Sequence, residues 1–283
     1  MSKSRISSTQ RKASRFIGLA LGGGKADKAG LVVLEHYPDQ NKIFLAKLFE
    51  KIKTEENISA DLKIHEIISQ FNDDQLQSIT FDVPLTLPKC LRCRLACPGF
   101  EVCKESEIRY IRSLYHEHTD KKKPKKMYTP YTQRCADAYL ASIDAEKLDA
   151  QHAMGANLAP LTARAFFIRR RLKAKFNAKL LEAFPKLSVM LIGKELKLTR
   201  TQLLNYRNSI QGSEVRKIFI EAMIDKWGLF IYEQDRKELI EDYHSFDALI
   251  CAFSGFLKSK GKVQKIPKNF PPNEGWVEIP KFE

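Results

Sequence analysis

The segment CLRCRLACPGFEVC puts four cysteines, Cys90, Cys93, Cys97 and Cys103, within fourteen residues of a chain that has six in all. Four thiolates on so short a stretch can close a tetrahedron around Zn²⁺. Pro98 directly after Cys97 also suits iron–sulfur ligation, so an iron–sulfur cluster stays open as the alternative. No apolar signal core follows the basic N-terminus, and in such a chain this density argues for a metal cluster over a disulfide framework. Arg92, Arg94 and Glu101 lie between the thiols, which argues against four unrelated buried cysteines. His116 and His118 are able to stand in for one of them. Cys135 and Cys251 fall in apolar helical patterns and read as buried.

The basic residues carry a second chemistry. Lys and Arg number 48 against 34 Asp and Glu, a net charge of +14, and the excess is clustered. Residues 1–15 hold five cations and no acid, KKKPKK at 121–126 holds five, and the span from Arg164 to Lys179 holds seven with no acid. Each cation that meets a phosphate releases a condensed counterion, so clusters of this kind favour DNA or RNA as partner. Arg92, Arg94, Lys121, Lys122, Lys123, Arg169, Arg170 and Arg171 are the candidate contacts. No stretch approaches the roughly 20 apolar residues of a membrane span, and a cytoplasmic protein with no membrane partner is expected.

These groups need elements to position them. Residues 1–14 read as a basic flexible arm. FIGLALGGGKADKAGLVVL makes an apolar run, a glycine turn and a second apolar run, which is a hairpin, and NKIFLAKLFEKI continues it as a third strand. Asn57 to Phe71 has helical spacing. In LQSITFDVPLTLP, Ile79, Phe81 and Val83 alternate before Pro84, so Asp82 stands at the C-terminal end of a strand. Residues 89–130 interrupt the core as a Cys- and Lys-rich insertion. A helix at Gln133 to Ser142 and a basic helix from Leu161 to Lys179 follow. KLLEAFP then reads as a short strand with Glu182 near its end. The rest is mainly helical, closing with a helix that starts at Ser245 as N-cap and has Asp247 in its first turn. The tail, 261–283, reads as irregular. Taken singly, Asp82 is also a turn-capping acid, Glu182 a solvated strand-end acid and Asp247 an ordinary first-turn acid. His244, three residues before Asp247, stands near the same edge.

A three-strand antiparallel meander, a crossover helix, two further strands carrying acids and a final helix opening with Asp together describe an α/β fold of ribonuclease H-like type over residues 15–260. The blocks FIGLALGGGKADKAGLVVL, ITFDVPLTLP, QRCADAYL, GANLAPLTARAFFIRRRL, LLEAFP and SFDALICAF run in order over residues 16–258 and resemble the domain-of-unknown-function family numbered 429, whose members are predicted nucleases. The resemblance implies phosphodiester hydrolysis with Mg²⁺ or Mn²⁺ held by Asp82, Glu182 and Asp247, because these hard cations prefer oxygen ligands. It also implies an acid on the first strand, where this chain has Ala20. A methyl group cannot coordinate a cation. Either catalysis has been lost, or the acid was replaced by engineering, or Asp27 from the hairpin turn takes its place. Two functions follow as expectations: a metal-dependent nuclease impaired at Ala20, or a non-catalytic nucleic-acid-binding or scaffold protein. A third use of the hairpin, a phosphate cradle at Gly22 to Lys25, is weighed on the glycine triplet alone.

Overall fold

A computed structural model of the chain describes residues 12–23, 27–116, 129–143, 148 and 152–282. Its centre is a seven-stranded mixed sheet. Three strands open it as an antiparallel meander: β1 (Ser14–Leu21), β2 (Ala29–Tyr37) and β3 (Lys42–Ile52). From Phe16 to Leu21 every residue of β1 is buried, because helices cover both faces of the sheet there, and that is why it reads as a continuous apolar run. β4 (Leu76–Phe81) adds parallel to β1, and β5 (Lys179–Ala183) adds parallel to β4. Two-residue strands β6 (Leu229–Phe230) and β7 (Val277–Glu278) close the edges, giving the order β6-β3-β2-β1-β4-β5-β7.

The alternate side chains of β1 and β2 feed two cores. Ile17, Leu19, Leu31 and Val33 pack with α1 (Ala60–Ser69) and α5 (Ala159–Lys173) on one face. Phe16, Ala20, Val32 and Leu34 pack on the other with α6 (Pro185–Glu195), α7 (Arg200–Leu204), α8 (Gly212–Trp227), α9 (Glu233–Glu241) and α10 (Tyr243–Ser259). A third apolar cluster joins α3 (Ser106–His116) and α4 (Cys135–Ile143) to Phe270, Val277 and Ile279 of the tail. The short α2 (Lys89–Arg92) opens the cysteine segment. No helix among the described residues is long and apolar enough to cross a membrane.

Helix α10 lies unusually close to the strands. A Cβ added at Gly18 would stand 2.0 Å from the Ala248 carbonyl oxygen, and one at Gly255 would stand 2.6 Å from Ser78 Oγ. Glycine therefore lets backbone approach backbone at Gly18 and lets the side chains of β4 approach the helix at Gly255. This contact sets the first turns of α10 beside the ends of β1 and β4.

Two expectations change. The N-cap of α10 is Asp242, whose side chain accepts from Ser245 N at 2.8 Å, so Asp247 lies beyond the first turn. Ser245 is instead fully buried inside the helix. The tail is not merely irregular: β7 extends the sheet beside β5, pairing Val277 with Glu182. Neither strand residue of β7 has a periodic neighbourhood from which pairing could be read.

Candidate functional site

A pocket of about 570 Å³ opens where β1, β4 and β5 end. Asp82, Glu182 and Asp247 all line it, together with Arg134, Asp137, Lys186, Arg207 and His244. Strand ends bring Asp82 and Glu182 there, and the Gly18 contact brings Asp247.

Asp82 follows β4 directly. Its Oδ1 accepts from Leu21 N at 2.9 Å, and its own N–H donates to Leu19 O at 3.1 Å, which locks it to the end of β1. Burial, only partly offset by the Leu21 N–H and reinforced by the charge of Asp247, pushes the Asp82 carboxyl up to about 7. Asp247 is 1% exposed and fully engaged: Tyr206 Oη donates to Oδ1 at 3.0 Å and Arg207 Nη2 donates to Oδ2 at 2.6 Å. Burial raises Asp247 above the usual carboxylate range, with Arg207 and Tyr206 opposing. Burial works against the Arg207 cation, but Asp247, Tyr206 and Asp82 outweigh it and hold the guanidinium protonated.

Glu182 faces a different partner. Its Oε1 accepts from Leu85 N at 2.8 Å, and Arg134 Nη1 reaches both carboxylate oxygens at 2.9 and 2.8 Å. Arg134, 1% exposed, also donates to Asp137 Oδ1 at 2.8 Å. Burial disfavours that cation, and the flanking charges of Asp137 and Glu182 more than restore it. Burial also lifts Glu182, with Arg134 pulling back. The pocket thus holds two groups, Asp82–Asp247–Arg207 and Glu182–Arg134–Asp137, each with one guanidinium set against two carboxyl groups.

Ala20 lies beside Asp82. Leu19 is the register partner of Phe81, and one residue further on Ala20 and Asp82 share a level and a sheet face. Ala20 is fully buried in the apolar cluster with Ala248. Asp27 is exposed, has φ 45° and does not line the pocket, so it does not replace the missing acid. Gly22 N donates to Lys28 O at 2.7 Å and Gly22 O accepts from Arg164, so the first amide of the suggested phosphate cradle is taken; residues 24–26 lie outside the described residues.

These groups as arranged do not fit a divalent cation. Both oxygens of Asp247 and one of Asp82 already accept hydrogen bonds, Glu182 turns to Arg134, and Ala20 offers no ligand. Among the described residues no three His, Cys, Asp or Glu side chains are gathered to hold a metal ion. Nor are the four thiols gathered around one point. Cys90 has Cys103, Cys97 and Cys93 as neighbours, and burial first, then those neighbours, raise its thiol, but the four do not converge as they stand. Cys97 is exposed and the other three are half-buried. Arg112 ties their loop to α3 through the carbonyls of Phe100, Glu101 and Cys103. The His116 side chain and His118 lie outside the described residues.

The candidate nucleic-acid contacts divide. Arg170 and Arg171 are exposed on α5. Arg169 is half-buried and donates to Leu85 O at 2.8 Å. Arg92 donates to Leu87 O at 2.9 Å and pairs with Glu274, whereas Arg94 is exposed. Lys121, Lys122 and Lys123 lie outside the described residues.

Arg134, Tyr206 and Arg207 escaped the sequence reading. Arg134 sits in the block QRCADAYL, where an Arg three residues before an Asp was a legible i,i+3 pair. Arg207 has no such signal, because its partner lies 40 residues away.

A family model described as "Protein of unknown function (DUF429)" matches residues 27–271. The match begins after β1, so Ala20 lies outside it. No curated protein and no solved structure matches the chain.

Proposed function

This chain belongs to the DUF429 family, and we propose that it is a non-catalytic nucleic-acid-binding protein on a ribonuclease H-like scaffold. One observation carries the reading: Asp247 is clamped by Arg207 and Tyr206 while an alanine stands beside Asp82. A carboxylate site whose charge is partly offset by internal arginines attracts cations less strongly. The sheet order β3-β2-β1-β4-β5, antiparallel then parallel, supports the scaffold. Support for a polyanionic partner comes from α5, where Arg170, Arg171 and Lys173 are exposed, as is Lys175 just past its end, and none of the four makes an ion pair among the described residues. The first turns of α5 and α6 line the pocket without side-chain caps, and helix N-termini favour anions over cations.

The test is fluorescence anisotropy with labelled DNA and RNA oligonucleotides, alongside a cleavage assay in Mg²⁺ or Mn²⁺. Affinity should fall at least about tenfold between 50 and 200 mM salt, with no cleavage. Absence of binding refutes the nucleic-acid reading. Cleavage that Asp82→Asn abolishes refutes the non-catalytic one and favours the second reading, a metal-dependent nuclease, for which the shared pocket of Asp82, Glu182 and Asp247 speaks. We also infer that the four cysteines bind Zn²⁺, since a set of four thiolates matches its ligand preference.

A further inference from the structure

Phe167 is 61% exposed in the middle of α5, on the face that also carries Arg170 and Arg171 three and four residues on. Those spacings put the three side chains side by side on a helix. The flanking positions one turn before and two turns after are Ala163 and Ala174, both exposed, which leave the ring uncovered. The buried side of the same helix needs no help from Phe167: Ala165, Ile168 and Leu172 already fill the core there.

Two other cations of this helix are engaged internally. Arg164 pairs with Asp61 at 2.7 Å and holds the β1–β2 turn through Gly22 O and Lys28 O, while Arg169 holds Leu85 O. Arg170 and Arg171 have no such partner among the described residues. The opposite end of the helix enters the pocket at Leu158, Pro160 and Leu161. From Pro160 to Phe167 is about 10 Å along the axis.

We propose that this face of α5 is a platform for single-stranded nucleic acid, with a base stacked on Phe167 and phosphates on Arg170 and Arg171. The inference rests on the nucleic-acid reading above and narrows it to unpaired strands. A duplex hides its base faces, so an exposed ring gains nothing from it beyond charge; an unpaired base presents a face that any aromatic ring can stack on. The uncapped cationic surface supplies the backbone contacts, and Phe167 supplies what charge alone cannot.

The experiment compares the full-length protein with Phe167→Ala, Phe167→Trp and Arg170→Gln/Arg171→Gln. The probes are a 12-mer single strand as DNA and as RNA, the matching duplex, and heparin as a polyanion without bases. Phe167→Ala should weaken single-strand binding about tenfold and leave duplex and heparin binding and the salt slope unchanged. Phe167→Trp should restore it. The double arginine variant should reduce the slope of log K against log salt by about 0.7 per arginine. Thermal melts check that each variant is folded, which an exposed helical position should allow. The platform is refuted if Phe167→Ala binds single strands as the parent does, even where the arginine variant fails, since that outcome keeps a charged surface and removes the base contact. No binding of any oligonucleotide refutes both this inference and the reading it rests on.

Discussion

Arg207 and Asp247 form an ion pair across 2.6 Å in which the carboxylate is 1% exposed and the guanidinium 33%. The cation also lies 5.4 Å from the ring centre of Tyr206 and 5.6 Å from that of Tyr243. Rings on this scale hold a guanidinium electrostatically, so its position beside the acid is fixed from three directions. The pocket therefore contains its own counter-ion where a carboxylate metal site would need an imported one.

Removing that counter-ion should be costly. Arg207→Gln leaves Asp247 buried without its cation, and stability in urea should drop by about 2–3 kcal/mol. Adding Asp247→Asn to the same chain removes the stranded charge and should recover more than half of the loss. Equal stability of the single and double variants would contradict the pairing.

Asp82 gives a pH signature. Its folded-state pKa, about 7, lies above the ordinary carboxylate value of 3.8, so its contribution is fully present below pH 4 and is lost as pH rises through 7. Asp82→Asn should remove this loss. The variant should melt about 3 °C above the parent at pH 8, and the advantage should vanish by pH 4. A constant difference over that range would show that Asp82 does not titrate there.

Ala20→Asp puts a third carboxylate beside Asp82 and Asp247. With no metal, a buried charge of this kind should lower stability by about 3 kcal/mol. Millimolar Mn²⁺ should raise the melting temperature of this variant and leave the parent unchanged, because the variant adds a second free carboxylate beside the one unbonded oxygen of Asp82. A parent that is itself stabilised by Mn²⁺ would show that the arginine pair yields to the cation.

Gly18→Ala probes how Asp247 is delivered. The added methyl would overlap the Ala248 carbonyl, so α10 must move off the sheet. The variant should lose about 3 kcal/mol or fail to fold, whereas Gly228→Ala, at a helix end with open space around it, should cost less than half as much. Chemical denaturation of the two side by side settles the comparison.

For the cysteines, the purified protein should carry one zinc per chain and no colour, and Cys90→Ser should reduce the zinc content at least fivefold in elemental analysis. Brown protein with absorbance near 400 nm would assign the segment to an iron–sulfur cluster instead.

Local pattern was enough for strands β1 to β5 and most helices. Alternation in LQSITF, the glycine-broken apolar runs of β1 and β2, and the i,i+3,i+4 spacing of α1 each depend on a few neighbouring residues, and the mixed sheet follows from their order. The acids at two strand ends and in α10 were visible in the same way, and all three reach one pocket. What those acids do is decided elsewhere. Arg207 meets Asp247 from 40 residues away and Arg134 meets Glu182 from 48, and no local rule encodes either distance. The two-residue β7 gains its place only because β5 is there to pair with it. Side-chain type fixes which charges a chain owns; only packing fixes which of them pair with one another.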